Sequence, residues 1–290
     1  MIFLLISLYA GEFQNFLIHT ESQGRGGASV AFPLSSTENP AVPYLAPTSI
    51  ILDGGGGLGN LSRVVFISGN FRIGDAGIGI TAFNHYISGI VDTRGSLIDE
   101  NNNNQLDPGE ELDTTKFKEF DFSENALILA YARGRGHLSY GVNFKFIYKR
   151  LGSEIGLGTG LDIGLIYRRD RFSLGVMVKD VTTSPLVWTG ENKEIIPQSY
   201  FVGGGVIVPL KLWEILADAD LILDEGGFRS KIGLEGRYNK IFAIRFGFDN
   251  DRLTSGAGLS FRSIGIDYSI MINSDYFPTT QRVSISKRFY

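Results

Sequence analysis

The sequence contains no cysteine. That excludes disulfides, thiolate metal sites, a cysteine nucleophile and a lipid-anchoring cysteine near the amino terminus. It also lacks any run of roughly 18 to 20 apolar residues, the length a membrane-spanning helix needs. Basic charge is not in excess: 27 Lys and Arg against 31 Asp and Glu leave a net charge of −4, so nothing in its field draws it to nucleic acid. Histidine is scarce, and His19, His85 and His137 are scattered without metal or triad spacing. No Gly-x-Ser-x-Gly elbow and no phosphate loop is present. Gly54–Gly57 lacks the lysine of a P-loop and is expected to be a flexible turn. These absences argue against an enzyme.

What the 290 residues do contain is glycine and aromatics: 37 Gly, 21 Phe and 12 Tyr. Hydrophobic residues at 43% and charged residues at 20% suit neither disorder nor a helical membrane protein. The mixture fits a β structure with crowded inward positions and aromatic outward ones.

From residue 50 onward the hydrophobic pattern alternates with a period of two, the signature of strands. Over 138–149 one face carries Leu138, Tyr140, Val142, Phe144, Phe146 and Tyr148, and the other Ser139, Gly141, Asn143, Lys145, Ile147 and Lys149. Over 242–249 the apolar set is Phe242, Ile244, Phe246 and Phe248, facing away from Ala243, Arg245, Gly247 and Asp249. A soluble sandwich turns such apolar faces inward, whereas a membrane barrel turns them to lipid. Three features favour the barrel. The segments run to about ten to sixteen residues, beyond the five or six of an ordinary strand and enough for a tilted span. Some connections are very short, as at Arg169-Asp170-Arg171 and Asn239-Lys240. Tyrosines such as Tyr148, Tyr167 and Tyr238 sit towards strand ends, where an aromatic girdle belongs.

An open sheet edge cannot face hydrocarbon, because each unpaired backbone group costs several kcal/mol there. The expected fold is therefore all-β, a closed antiparallel transmembrane barrel. About fourteen segments are legible, near 48–54, 63–73, 76–92, 119–134, 136–149, 155–169, 171–182, 198–209, 212–224, 228–238, 240–249, 251–261, 263–272 and 280–289. Inward-phased charges, among them Lys145, Asp162, Arg168, Lys231, Glu235, Arg237, Arg245 and Asp267, are expected to satisfy one another in the lumen. Residues 1–10 look like the apolar part of a secretory signal without its basic start, although a first strand would read similarly.

Between the third and fourth segments lies an insertion, 93–118. Within it Asp99, Asn101, Asn103, Gln105, Asp107 and Glu110 occupy positions 1, 3, 5, 7, 9 and 12 of an EF-hand-type calcium loop. Calcium takes six to eight hard oxygens, which alternate residues of a tight turn can aim at one centre. Asn104 stands at the glycine position, and no amphipathic helix flanks the loop. A polar surface loop turning at Pro108-Gly109 is the plainer alternative. The expected role of Ca2+ is structural.

Gly24-Arg25-Gly26-Gly27-Ala28-Ser29-Val30-Ala31, followed by Asn39-Pro40-Ala41, resembles the opening of the FadL-like superfamily, particularly its PorV/PorQ-like branch. Further similarities follow in order: Gly141 to Tyr148, Gly158 to Leu165, Leu186-Val187-Trp188 with Ile196-Pro197, and Gly265 to Tyr268. The last ten residues, Gln281 to Tyr290, resemble the carboxy-terminal signal for barrel assembly, with Phe289 penultimate instead of last. The resemblance implies a fourteen-stranded outer-membrane barrel over 48–290. Its amino-terminal segment, 11–47, would fold into the lumen as a plug, although a periplasmic linker would share its composition. Two functions follow from the resemblance. One is passage of hydrophobic small molecules across the bacterial outer membrane. The other is a non-enzymatic scaffold or shuttle that docks a secreted protein in a type 9-like secretion system. Outer-membrane lipid is a partner in either case.

Overall fold

The structure, a computed structural model, describes residues 16–57, 62–93, 95–99, 103, 107–182, 184–190, 192–272 and 279–289; the signal-like residues 1–10 lie outside them. In chain order the strands are β1 (Ser49–Gly57), β2 (Ser62–Ile73), β3 (Ala76–Asp92), β4 (Leu97–Ile98), β5 (Glu111–Leu112), β6 (Lys118–Arg135), β7 (Leu138–Leu151), β8 (Glu154–Arg169) and β9 (Phe172–Lys179). They continue with β10 (Ser184–Trp188), β11 (Lys193–Ile196), β12 (Ser199–Leu210), β13 (Trp213–Asp224), β14 (Gly227–Tyr238), β15 (Phe242–Asp249), β16 (Arg252–Phe261), β17 (Ile264–Ile272) and β18 (Thr280–Arg288). Fourteen of them form one closed antiparallel barrel in sequence order, and β1 pairs with β18 from Ser49↔Arg288 to Gly56↔Gln281 to close the ring. The remaining four are two hairpins: β4–β5 in the insertion, and β10–β11 standing on β8.

The alternation decides which face is which. Phe246 is 56% exposed and its neighbour Arg245 only 2%. The same holds around the ring, where Leu52, Val65, Ile67, Phe144 and Leu234 are exposed while Asp53, Asn143, Glu235 and Ser269 are buried. A water-soluble sandwich would invert this order, so the outer wall is a surface built for hydrocarbon.

Six connections at one end are tight turns, and the chain enters β1 and leaves β18 at that same end. Asn239 (φ 49°) and Lys240 (φ 58°) both adopt the left-handed conformation that a two-residue turn of the right twist demands. The longer connections, including the 93–118 insertion, lie at the opposite end.

Two expectations need correction. Gly54–Gly57 is not a flexible turn; it is the second half of β1, held extended by ladders to β2 and β18 on both sides. Gly55 must be glycine there, because a Cβ would collide with the Gln281 backbone and the Arg282 side chain. The seventh segment, expected over 171–182, stops at Lys179, where Asp180 turns to a φ of 53°.

Candidate functional site

Residues 16–48 carry two short helices, Thr20–Gly24 and Val42–Leu45, and almost every side chain from Leu17 to Pro43 is buried. Their partners lie on the inward face of strand after strand. Asp53 of β1 accepts from the Thr20 backbone (2.9 Å) and meets His19 Nδ1 at 2.6 Å. Asn70 of β2 donates to the Leu34 carbonyl (2.7 Å), and Asn143 of β7 to that of Ser36 (2.9 Å). The Ser173 hydroxyl of β9 donates to the Ala31 carbonyl, 2.6 Å away. Asp220 of β13 accepts from the backbone of Ser29 and Val30, at 2.7 and 3.1 Å. Thr254 of β16 accepts from Gly26, and Arg282 of β18 donates to Phe16. A segment that touches the inner face on so many sides lies within the ring. Where its backbone presses on the wall, the wall has glycine: a Cβ on Gly175 would meet the Val30 carbonyl, and one on Gly247 the Arg25–Gly26 peptide.

Seven of the eight inward charges meet an opposite charge as expected, and Arg168 meets a backbone carbonyl instead. Lys145 reaches Asp162 at 2.6 Å and Asp180 at 2.7 Å, and Lys149 reaches Glu124 at 2.8 Å. Arg245 binds Glu235 and, at 2.7 Å, Asp267; Arg237 bridges Glu21 (2.8 Å) and Glu235 (2.7 Å). Lys231 lies 3.8 Å from Asp249, and Arg168 donates to the Ala31 carbonyl at 3.3 Å. The sequence could not show that Glu21 and Arg25, from the amino-terminal segment, join this network, Arg25 pairing with Asp218.

One sector of wall departs from regular pairing. β9 and β10 follow a single path along β8 that is broken after Lys179, at 180–182, and β11 and β12 a return path broken at Pro197-Gln198. Proline contributes no N–H to a ladder. Across the break, Asp180 donates its N–H to Asp162 (3.0 Å), Val181 to Leu161 (2.8 Å) and the Gln198 side chain to Val181 (2.7 Å). Beyond it the β10–β11 hairpin brings Leu186, Trp188 and Ile196 into an apolar cluster with Leu17, Phe66, Phe83 and Ile147.

Against this sector lies a cavity of about 580 Å³ between the amino-terminal segment and β9, β12, β13 and β14. Ile18, Val30, Met177, Phe201 and Ile222 give it apolar walls, Lys179, Lys231 and Asp220 add charge, and Glu38, Asp224, Glu225 and Arg229 also line it. The buried Lys179 ammonium stands 5.2 Å from the Phe201 ring centroid. None of the cavity residues was legible as a set in advance. Strand phase marks Met177 and Lys179 as inward-facing, but nothing local says that the segment leaves a void beside them.

Of the calcium-loop residues, Asn101 and Gln105 lie outside the described residues. The others are drawn together: the Asn103 N–H donates to Asp99 (3.2 Å), its carboxamide to Asp107 (2.7 Å), and the Asp107 N–H to Glu110 (3.0 Å). Among the described residues, no three His, Asp or Glu side chains converge as a metal cage.

No protein-family model and no curated protein matches the sequence. Solved structures do match in fold. The P. putida toluene transporter TodX aligns with a TM-score of 0.62 at 13% identity, covering 94% of this chain and 98% of that one. The Ralstonia pickettii toluene transporter TbuX aligns at 0.60 and 12% identity, with coverage of 94% and 98%. A TodX monoaromatic hydrocarbon channel carrying the deltaS2 mutation gives 0.61 at 13%, covering 94% and 99%. The likeness is one of fold: this chain forms the same kind of barrel as those transporters.

Proposed function

We propose that this chain is an outer-membrane channel for small hydrophobic molecules, with residues 11–47 as the plug that controls passage. The observation that carries the reading is the cavity of about 580 Å³ bounded by that segment on one side and by the interrupted wall on the other. Its volume is that of a small-ligand site. Its apolar lining from Ile18, Val30, Met177, Phe201 and Ile222 suits a molecule of one or two rings or a short chain. Regular strand pairing lapses beside it at 180–182 and 197–198, where the backbone can rearrange without breaking a continuous row of ladder hydrogen bonds. That TodX and TbuX, which share the fold, are toluene transporters supports the substrate class. The tight turns lie in the periplasm in this reading, and the 93–118 insertion faces outward.

Uptake into proteoliposomes tests the idea. Wild-type protein is expected to admit a labelled monoaromatic hydrocarbon. Ile222→Trp, which fills the cavity, is expected to slow uptake about tenfold, and deletion of 11–47 to change the flux. Flux that is indifferent to both changes would sink plug-gated transport and leave the scaffold reading, which rests on sequence resemblance to the PorV/PorQ-like branch.

Within the same reading, Asp99, Asn101, Asn103, Gln105, Asp107 and Glu110 hold a structural Ca2+ that orders the outward insertion. Support comes from the spacing and from the fold-back that draws Asp99, Asn103, Asp107 and Glu110 together.

A further inference from the structure

The outer wall of β6 to β9 carries an apolar groove of about 600 Å³ that hydrophobic passage does not use. Register explains its shape. Arg133, Tyr140, Leu165 and Val176 are successive cross-strand partners, forming one outward row over four strands. The adjoining row starts at Tyr131 and passes through Val142 and Ile163. The groove lies between these rows, open to the surface that lipid covers. The wall is one backbone thick here, since Asn39 and Pro40 of the amino-terminal segment press on Gly141 and Gly164 from inside.

One end of the groove is cationic. Arg133 lines it, Arg135 follows at the strand end, and Arg169 and Arg171 flank the neighbouring tight turn. All four are exposed, and Asp170 is the sole acid in these two turns. Among the described residues neither Arg133 nor Arg135 has an ion-pair partner. An unbalanced guanidinium at the rim of an apolar, lipid-facing groove complements a molecule with an anionic head and a hydrocarbon tail. Tyr131 and Tyr140 beside it are the residues that favour the headgroup boundary.

We infer that the β6–β9 groove is a site for a single anionic phospholipid, its acyl chain lying between the two rows and its phosphate held by Arg133. A second copy of the chain would need a cationic end matched by acids, and the outward row beside Arg133 offers only apolar and aromatic side chains. The inference shares with the transport reading only the lipid-facing wall.

The test uses the full barrel in detergent, titrated with phosphatidylglycerol or phosphatidylcholine, with bound lipid counted by native mass spectrometry. Wild-type protein is expected to retain one phosphatidylglycerol in preference to phosphatidylcholine. Arg133→Gln should weaken phosphatidylglycerol retention about fivefold and leave phosphatidylcholine unaffected, as expected for one cation at a lipid surface. Val142→Trp fills the groove from the lipid side, so retention of both lipids should be lost while the barrel still shows heat-dependent gel migration. Equal retention of the two lipids by wild type overturns the inference. So does unaltered retention in both variants, or Val142→Cys cross-linking to a second copy. Uptake by the same variants reconstituted into proteoliposomes separates the claims: lipid preference lost with transport intact leaves the channel standing, and the reverse leaves the lipid site standing.

Discussion

A charge enclosed by the barrel wall persists only where an opposite charge or a hydrogen-bond donor meets it, because an unpaired buried ion costs several kcal/mol. His19 illustrates the balance. Burial opposes its charged form, but the Asp53 carboxylate at 2.6 Å, with Glu38 and Glu21 nearby, outweighs burial and holds its pKa above the ordinary 6.5. A raised folded pKa gives stability that is fully present below the unfolded value and is lost as pH rises through the folded one. The wild-type thermal midpoint, less that of His19→Gln, should therefore be largest in mild acid and shrink as pH climbs above about 6.5. A difference that grew towards alkaline pH would refute the pairing. At this scale the alternation was a reliable guide: Lys145, Glu235 and Arg245 face inward as their phase requires. Gly54–Gly57 misled because glycine carries no phase; a ladder on each side, not the residue, makes it strand.

Among the elements, the paired breaks at 180–182 and 197–198 matter most. Lys145 holds the first by binding both Asp162 and Asp180, all three nearly inaccessible. Replacing it with methionine leaves two buried carboxylates facing each other, and unfolding should show a loss of about 3–5 kcal/mol. Asp162→Asn with Asp180→Asn in the same chain should recover much of it. The insertion proposed to hold calcium is a separate element. Calcium is expected to raise the thermal midpoint of the wild type, and Asp99→Ala or Glu110→Ala to abolish that gain; an equal response in the variants would remove the metal from the account. All fourteen barrel segments were legible as segments, since most alternate buried and exposed residues over eight or more positions, although the second half of β1 was not. The hairpins β4–β5 and β10–β11 were not. Their strands span two to five residues, too short for a period to declare itself, although Leu186-Val187-Trp188 and Ile196-Pro197 already figured in the family resemblance.

For the whole molecule, closure and filling are separate matters. Among the described residues, the ladder that closes the ring, from β1 through β18, uses no backbone hydrogen bond from residues 16–47. Deleting 11–47 should thus leave a barrel that still migrates heat-dependently on gels, while water enters and solvates Asp53, Asp218 and Asp220. Planar-bilayer recordings should then show a conductance larger than that of the intact chain. The sequence by itself determined a barrel of about fourteen strands with apolar residues outward, because a two-residue period and hydrocarbon's intolerance of open edges leave few other solutions. Only the tertiary structure decided where Arg25 and Glu21 find their partners and that a cavity opens beside Lys179 and Phe201. It also placed the groove under Arg133. Those features join residues more than two hundred positions apart, and no local pattern encodes how a proline- and glycine-rich segment packs against a distant wall.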